Sequence, residues 1–137
     1  MTAGAGLSAG LADAVVAALR ADAGVAALCG ARVYPYGVAS AVFPHVAFGP
    51  LKTRAWNAGG EPGAEILFAV HALARAGGRT EALTVAEACA AALDGAGLAW
   101  SGAGMVALFF SEAEAAPLKD GETWRAVARF RALVEGV

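Results

Sequence analysis

The sequence predicts an α+β domain with a mostly antiparallel β-sheet and two main helices packed on one face. Three observations predict it. Apolar residues recur at helical spacing near the N-terminus and again over residues 80–95. Between and after these stretches lie segments in which apolar and polar residues alternate. Asp120-Gly121 stands between two of those segments as a hairpin signal. The order α, β, β, β, α, β, β is most economically packed as one sheet with helices on one side, and 137 residues fit a single domain over 1–137.

Leu7, Leu11, Val15, Ala18 and Leu19 define an amphipathic helix from about Ser8 to Ala21, with Ser8 as its expected cap. "ADAGVAALCG" is a second short helical turn closed by Gly30. "RVYP" is a short strand stopped by Pro35, and "FPHVAFGP" a second strand that can hold Pro44 only at its start or on an edge. Residues 32–50 therefore form edge strands, and an exposed edge requires a partner or a cover. Residues 51–63, with Asn57, Gly59, Gly60, Pro62 and Gly63, are a long hairpin loop in which Lys52 and Arg54 flank Trp56.

"AEILFAVHALAR" is the strongest strand. Ile66, Phe68 and Val70 lie on one face; Glu65, Leu67, His71 and Arg75 lie on the other. The helix "TEALTVAEACAAALDG" follows, with Ala82, Val85, Ala86, Cys89, Ala92 and Leu93 on its apolar stripe, Thr80 as a cap and Gly95 as its stop. "MVALFFSEAEA" and "TWRAVARFRALVE" form the final hairpin. Trp124, Ala126, Ala128, Phe130, Ala132 and Val134 share the core face; Arg125, Arg129 and Arg131 share the other. Even positions of the first strand then pair with odd positions of the second, which sets Glu112 and Glu114 beside Arg125 and Arg129. Leu67, Leu108, Phe110, Val127 and Leu133 are expected among these charges, so the second face is mixed and half-hidden at best.

Composition narrows function. Apolar residues are 58% of the chain and charged ones 16%, a balance that suits a surface partly covered by other protein. Much of the apolar share is alanine, which sits well on either side of a helix. The net charge of -2 supplies no basic field for DNA or an anionic membrane. Cys29 and Cys89 are too few for a disulfide framework and read as small buried hydrophobes in a reducing cytoplasm. The N-terminus lacks a basic signal-peptide region, Asp13, Arg20 and Asp22 interrupt its apolar run, and Leu28 is too large beside Cys29 for a lipoprotein site. No run is long and apolar enough to span a bilayer.

Catalytic patterns are weak. Of the two histidines, His45 begins a strand and His71 lies mid-strand, and no G-x-S-x-G elbow accompanies them. Glu112 and Glu114 share a face but are answered by arginines rather than set across a cleft. "GAGLSA" and "GAGMVA" fit a loose G-x-G-x-x-A, yet neither lies between a strand and a helix. Metal-ligand spacing is absent. The sequence thus gives no catalytic, cofactor or metal residue. Its candidate site is a protein interface: Lys52, Arg54, Trp56, Asn57, Glu112, Glu114, Arg125, Arg129 and Arg131, where Trp and Arg are the residue types that dominate binding hot spots.

Pieces in a fixed order carry a resemblance: a helix ending "LRADAGVAALCGARVY", then "FPHVAFG", a loop with Trp56 and Gly60, "AEILFAVHALARAGGRTEALTVAEACAAAL", and a strand pair ending "RFRALVE". Together they span almost the whole chain, which resembles the tail terminator family, also called tail completion or head-tail joining proteins, of long-tailed phages and phage-like gene transfer agents. The resemblance implies a non-enzymatic subunit, made in the bacterial cytoplasm and built into the head-tail junction of a virion or virus-like particle. It implies a hexameric ring that caps the tail tube, stops its polymerisation and docks the head connector, with the tube protein and connector as partners, no cofactor, and DNA passing through the bore without specific binding. Two alternatives stand beside it: another head-tail connector or tail-tube component, and a small-ligand-binding α+β regulatory module, which requires a pocket with converging polar groups.

Overall fold

The structure, a computed structural model, describes residues 7–56 and 63–136. Three helices, α1 (Leu11–Ala21), α2 (Ala23–Cys29) and α3 (Gly78–Leu93), accompany six strands: β1 (Val33–Tyr34), β2 (His45–Ala55), β3 (Gly63–Ala74), β4 (Ala99–Trp100), β5 (Ala103–Pro117) and β6 (Trp124–Gly136). The strands form one sheet in the order β1-β2-β3-β6-β5-β4. Every pairing is antiparallel except β1 with β2. The α+β architecture expected from periodicity is therefore the one observed.

The helices lie on one face, as expected, with α3 against β3, β5 and β6 and with α1 and α2 against α3. α3 buries Ala82, Val85, Ala86, Cys89, Ala90 and Leu93. These small side chains let the helix sit close to a ladder of four phenylalanines running across the sheet. Phe48 stacks on Phe68, Phe68 on Phe130, and Phe110 tilts against Phe130, with ring centres 5.2 to 5.7 Å apart, within the range in which aromatic pairs attract beyond their buried area. Both cysteines are buried, and burial pushes the Cys89 thiol up to about 12.

α1 bridges the two sheet edges. Arg20, near its end, donates to the Val33 carbonyl of β1, while Trp100 of β4 donates its indole N–H to the Leu7 carbonyl at 3.1 Å. Gly10 makes that approach possible: a Cβ there would lie 2.5 Å from the Trp100 ring, far inside contact distance.

Several local expectations change. Ser8 does not cap α1, whose N-cap is Gly10 without a side-chain bond; Asp22 instead caps α2 by accepting from Val25 N. Thr80 lies inside α3, whose N-cap is Gly77. Thr84 bonds back to its carbonyl, the use a hydroxyl finds within a helix. Gly30 and Gly95 do close their helices with positive φ. Lys52 and Arg54 are not in a loop. β2 continues through Ala55 because a bulge at Gly49-Pro50 absorbs the proline, which cannot donate to the ladder.

The largest change is at Ser111. There β5 bulges between Phe110 and Glu112, and one extra residue exchanges the faces of the strand. Before the bulge Leu108 and Phe110 stand opposite Ala132 and Phe130 on the core face; after it Glu112 stands opposite Arg129. Leu108, expected on the mixed face, is thus fully buried beneath α3, and Phe109 takes its place on the open side.

Candidate assembly surface

One sheet face is clad by helices; the other carries most of the residues singled out from sequence. Lys52 and Arg54 on β2, Glu65, Leu67 and His71 on β3, Arg125, Arg129 and Arg131 on β6, and Phe109, Glu112 and Glu114 on β5 all stand there, by alternation from the observed register. Apolar Leu67, Val127, Leu133 and Phe109 lie among the charges. Phe109 remains 47% exposed.

The charges form two groups. Glu65 is shared by Arg54, at 3.0 Å, and Arg131. The Arg131 hydrogen bond, with Arg54's charge behind it, holds the Glu65 carboxyl below the usual carboxylate range. Arg129 reaches Glu112 at 3.1 Å and Glu114 at 3.5 Å. Both partners are exposed in the Arg129 pairs, while Glu65 is partly buried between exposed arginines, so each pair contributes little to stability individually. What they do is fix guanidinium and carboxylate positions across four strands, β2, β3, β6 and β5.

Arg125, expected beside the two glutamates, is not paired with them. It lies opposite Ala116, and no acid lies within 4.0 Å of it among the described residues. Lys52 likewise has no acid partner among the described residues. Together with Arg129, His71 and Pro50, they line a groove of about 550 Å³ on this face, where the bulges at Gly49-Pro50 and Ser111 open the sheet surface. His71 covers Gly49, at which a Cβ would meet its Nε2 at 2.7 Å. Burial first, then the cations Arg125 and Arg129, hold His71 below its ordinary value, so its neutral form is favoured.

Trp56 sits at the end of β2, half-buried, and donates its backbone N–H to Gly63 O. Its ring lies so close to Gly63 that a Cβ there would meet Trp56 Cε3 at 2.8 Å. Asn57 lies outside the described residues. The groove is a feature that sequence reading missed, because it depends on two bulges that alternation does not reveal.

Elsewhere the polar contacts are architectural. Arg32 donates to the Pro44 carbonyl, Arg75 lies 4.2 Å from the centre of the Phe43 ring, and buried His45 packs against Tyr34 and Phe43. Asp120 accepts from Glu122 N, Thr123 N and Thr123 Oγ1, closing the β5–β6 turn. Among the described residues no cluster of three His, Cys, Asp or Glu side chains could hold a metal, and no helix is long and apolar enough to cross a membrane.

The chain thus presents one clad face and one face mixed in charge and apolar groups. The sequence matches the family described as tail completion protein gp17 over residues 13–135. A solved structure described as the virion of a native gene transfer agent particle contains a chain 33% identical to this one, superposing with a TM-score of 0.86 over 96% of this chain and 99% of that one. No curated protein matches it. The match covers nearly every element described above, and this chain therefore belongs to the tail completion protein gp17 family.

Proposed function

We propose that this chain is a structural tail component that forms a ring on the last tier of the tail tube, stops tube growth and presents a docking face to the head connector. The observation that carries this reading is the likeness, over almost the full length, to a chain of a gene transfer agent virion. The physical features support it. The mixed sheet face, with Phe109 exposed among paired charges, suits a surface covered on assembly. A net charge of -2 suits a subunit past which DNA must slide, because phosphate attraction grows with basic density.

Negative-stain microscopy of particles assembled without this chain tests the reading. The expected result is overlong tubes together with heads lacking tails. Tails of normal length joined to heads would contradict it. The groove favours a second reading, a ligand-binding module. Its Lys52 and Arg125, without an acid partner among the described residues, would take an anionic group, and calorimetric titration of small phosphates and carboxylates into the purified chain tests that reading directly.

A further inference from the structure

Each outer edge of the sheet is covered only in part. β1 pairs with Val46 and Ala47 alone, so Leu51–Ala55 of β2 has no strand on its outer side among the described residues. On the opposite edge β4 covers Ala103 and Gly104. The chain around β4 takes up more of that edge: Leu98 O accepts from Met105 N, Gly95 N donates to Leu108 O, and the Asp94 carboxylate accepts from Phe110 N. From Glu112 to Pro117 no backbone partner meets the outer side of β5 among the described residues.

The two open segments carry opposite charge on the same sheet face. At the β2 side Arg54 and Arg131 share one anion, Glu65, and Lys52 on the same face has no acid partner among the described residues. At the β5 side two anions, Glu112 and Glu114, share one cation, Arg129. We propose that these edges join copies of this chain head to tail: β5 of one copy adds antiparallel to β2 of the next, with Glu114 opposite Lys52 and Glu112 opposite Arg54. The proposal rests on the ring reading above and names the contact that would build the ring.

Three arguments favour this pairing. First, β2, β3, β6 and β5 alternate in direction, so β5 runs opposite to β2. Repeating the unit side by side keeps the alternation and keeps every open face on the same side. Second, self-pairing is disfavoured. β2 on β2 sets Lys52 and Arg54 against the same cations, and β5 on β5 sets glutamates together, which costs stability across strands. Only the heterologous contact matches charge, and heterologous contacts generate rings or filaments.

Third, the covers dictate the register. Level with Lys52 on β5 stands Phe109, between two residues whose backbone groups are already bonded. The first free glutamates lie further along, and reaching Glu114 offsets neighbouring copies by the four residues between Leu67 and His71. At about 3.3 Å per residue, against a four-strand width of about 19 Å, that offset corresponds to a strand tilt of about 35°. Closed sheets tilt by about 35–45°.

Paired cysteines test the register. K52C/E114C and R54C/E112C place two new thiols on one chain, while native Cys29 and Cys89 are buried and cannot compete. Oxidation should give a ladder of covalent oligomers ending in a closed species, and each single-cysteine variant should give none beyond a dimer. Variants that melt like the parent and assemble to its mass, yet run as monomers after oxidation, would overturn edge pairing and leave the ring reading standing. A ladder without a closed species would support edge pairing and count against the ring. A chain that stays monomeric and gives no ladder at millimolar concentration would overturn edge pairing. Where a cysteine variant melts differently from its parent, charge reversal decides. K52E should weaken assembly at least tenfold, and K52E/E114K should restore it; no restoration would overturn the proposal.

Discussion

Phe68 stacks on Phe130 across the β3–β6 ladder, with ring centres 5.2 Å apart and planes 15° from parallel. The pair stands at the middle of the sheet, beneath α3, and links the final hairpin to the strand that precedes the helix. Phe68 is 3% exposed and Phe130 1% exposed, so truncating either leaves a void that the closely packed alanine face of α3 cannot fill.

Phe68→Ala should therefore cost about 3–5 kcal/mol of fold stability. Denaturant unfolding followed by circular dichroism measures it. A change near zero would mean that the core lies on the other face of the sheet.

Trp56→Ala should act on assembly rather than folding. The indole sits at the end of β2 with its ring over Gly63, at the margin of the core. Its loss should weaken association by about 2 kcal/mol, as for an aromatic interface anchor, and leave the monomer folded. Sedimentation across a concentration series reads the effect; unchanged association removes the anchor role.

Asp120 makes the β5–β6 turn sensitive to acid. Its hydrogen bonds from Thr123 Oγ1 and from the backbone of Glu122 and Thr123 bring its value down from 3.8 to about 2. A folded value below the unfolded one gives stability that is present above the unfolded value and is lost as pH falls from about 4 towards about 2. Thermal melts across that window should decline for the parent and decline less for Asp120→Asn. Identical slopes would contradict the assignment.

The histidines act at higher pH with the same sign. Burial lowers both His45 and His71 from 6.5, so the folded chain binds protons less readily than the unfolded one. Stability should fall as pH drops below about 6.5. Replacing His71 with Gln should flatten part of that decline. A melting temperature constant between pH 7.5 and pH 5.5 would refute the prediction.

Much of this organisation is legible in the residues. β6 announces its two faces because nothing interrupts its alternation from Trp124 to Val134, and the hairpin at Asp120-Gly121 fixes Glu112 opposite Arg129 by counting back from the turn. What counting cannot find is a bulge. Ser111 gives no compositional sign, yet it moves Leu108 and Phe110 into the core and Phe109 out of it. The bulge at Gly49-Pro50 likewise turns an expected loop into strand and brings Lys52 and Arg54 onto the same face as Glu65. β4, with two residues, is too short for any period to register. The covering of β5 by Asp94 and Gly95 depends on contacts across the fold. The candidate residues were readable as types; their grouping into a cationic edge and an anionic edge required the register.

The central claim is that copies of this 13.6 kDa chain close into a ring. Light scattering of the purified protein, alone and with its tail-tube protein, tests it most directly. The account predicts a single species at a fixed multiple of the monomer mass, formed alone or on addition of the tube. A chain that remains monomeric in both conditions would contradict it.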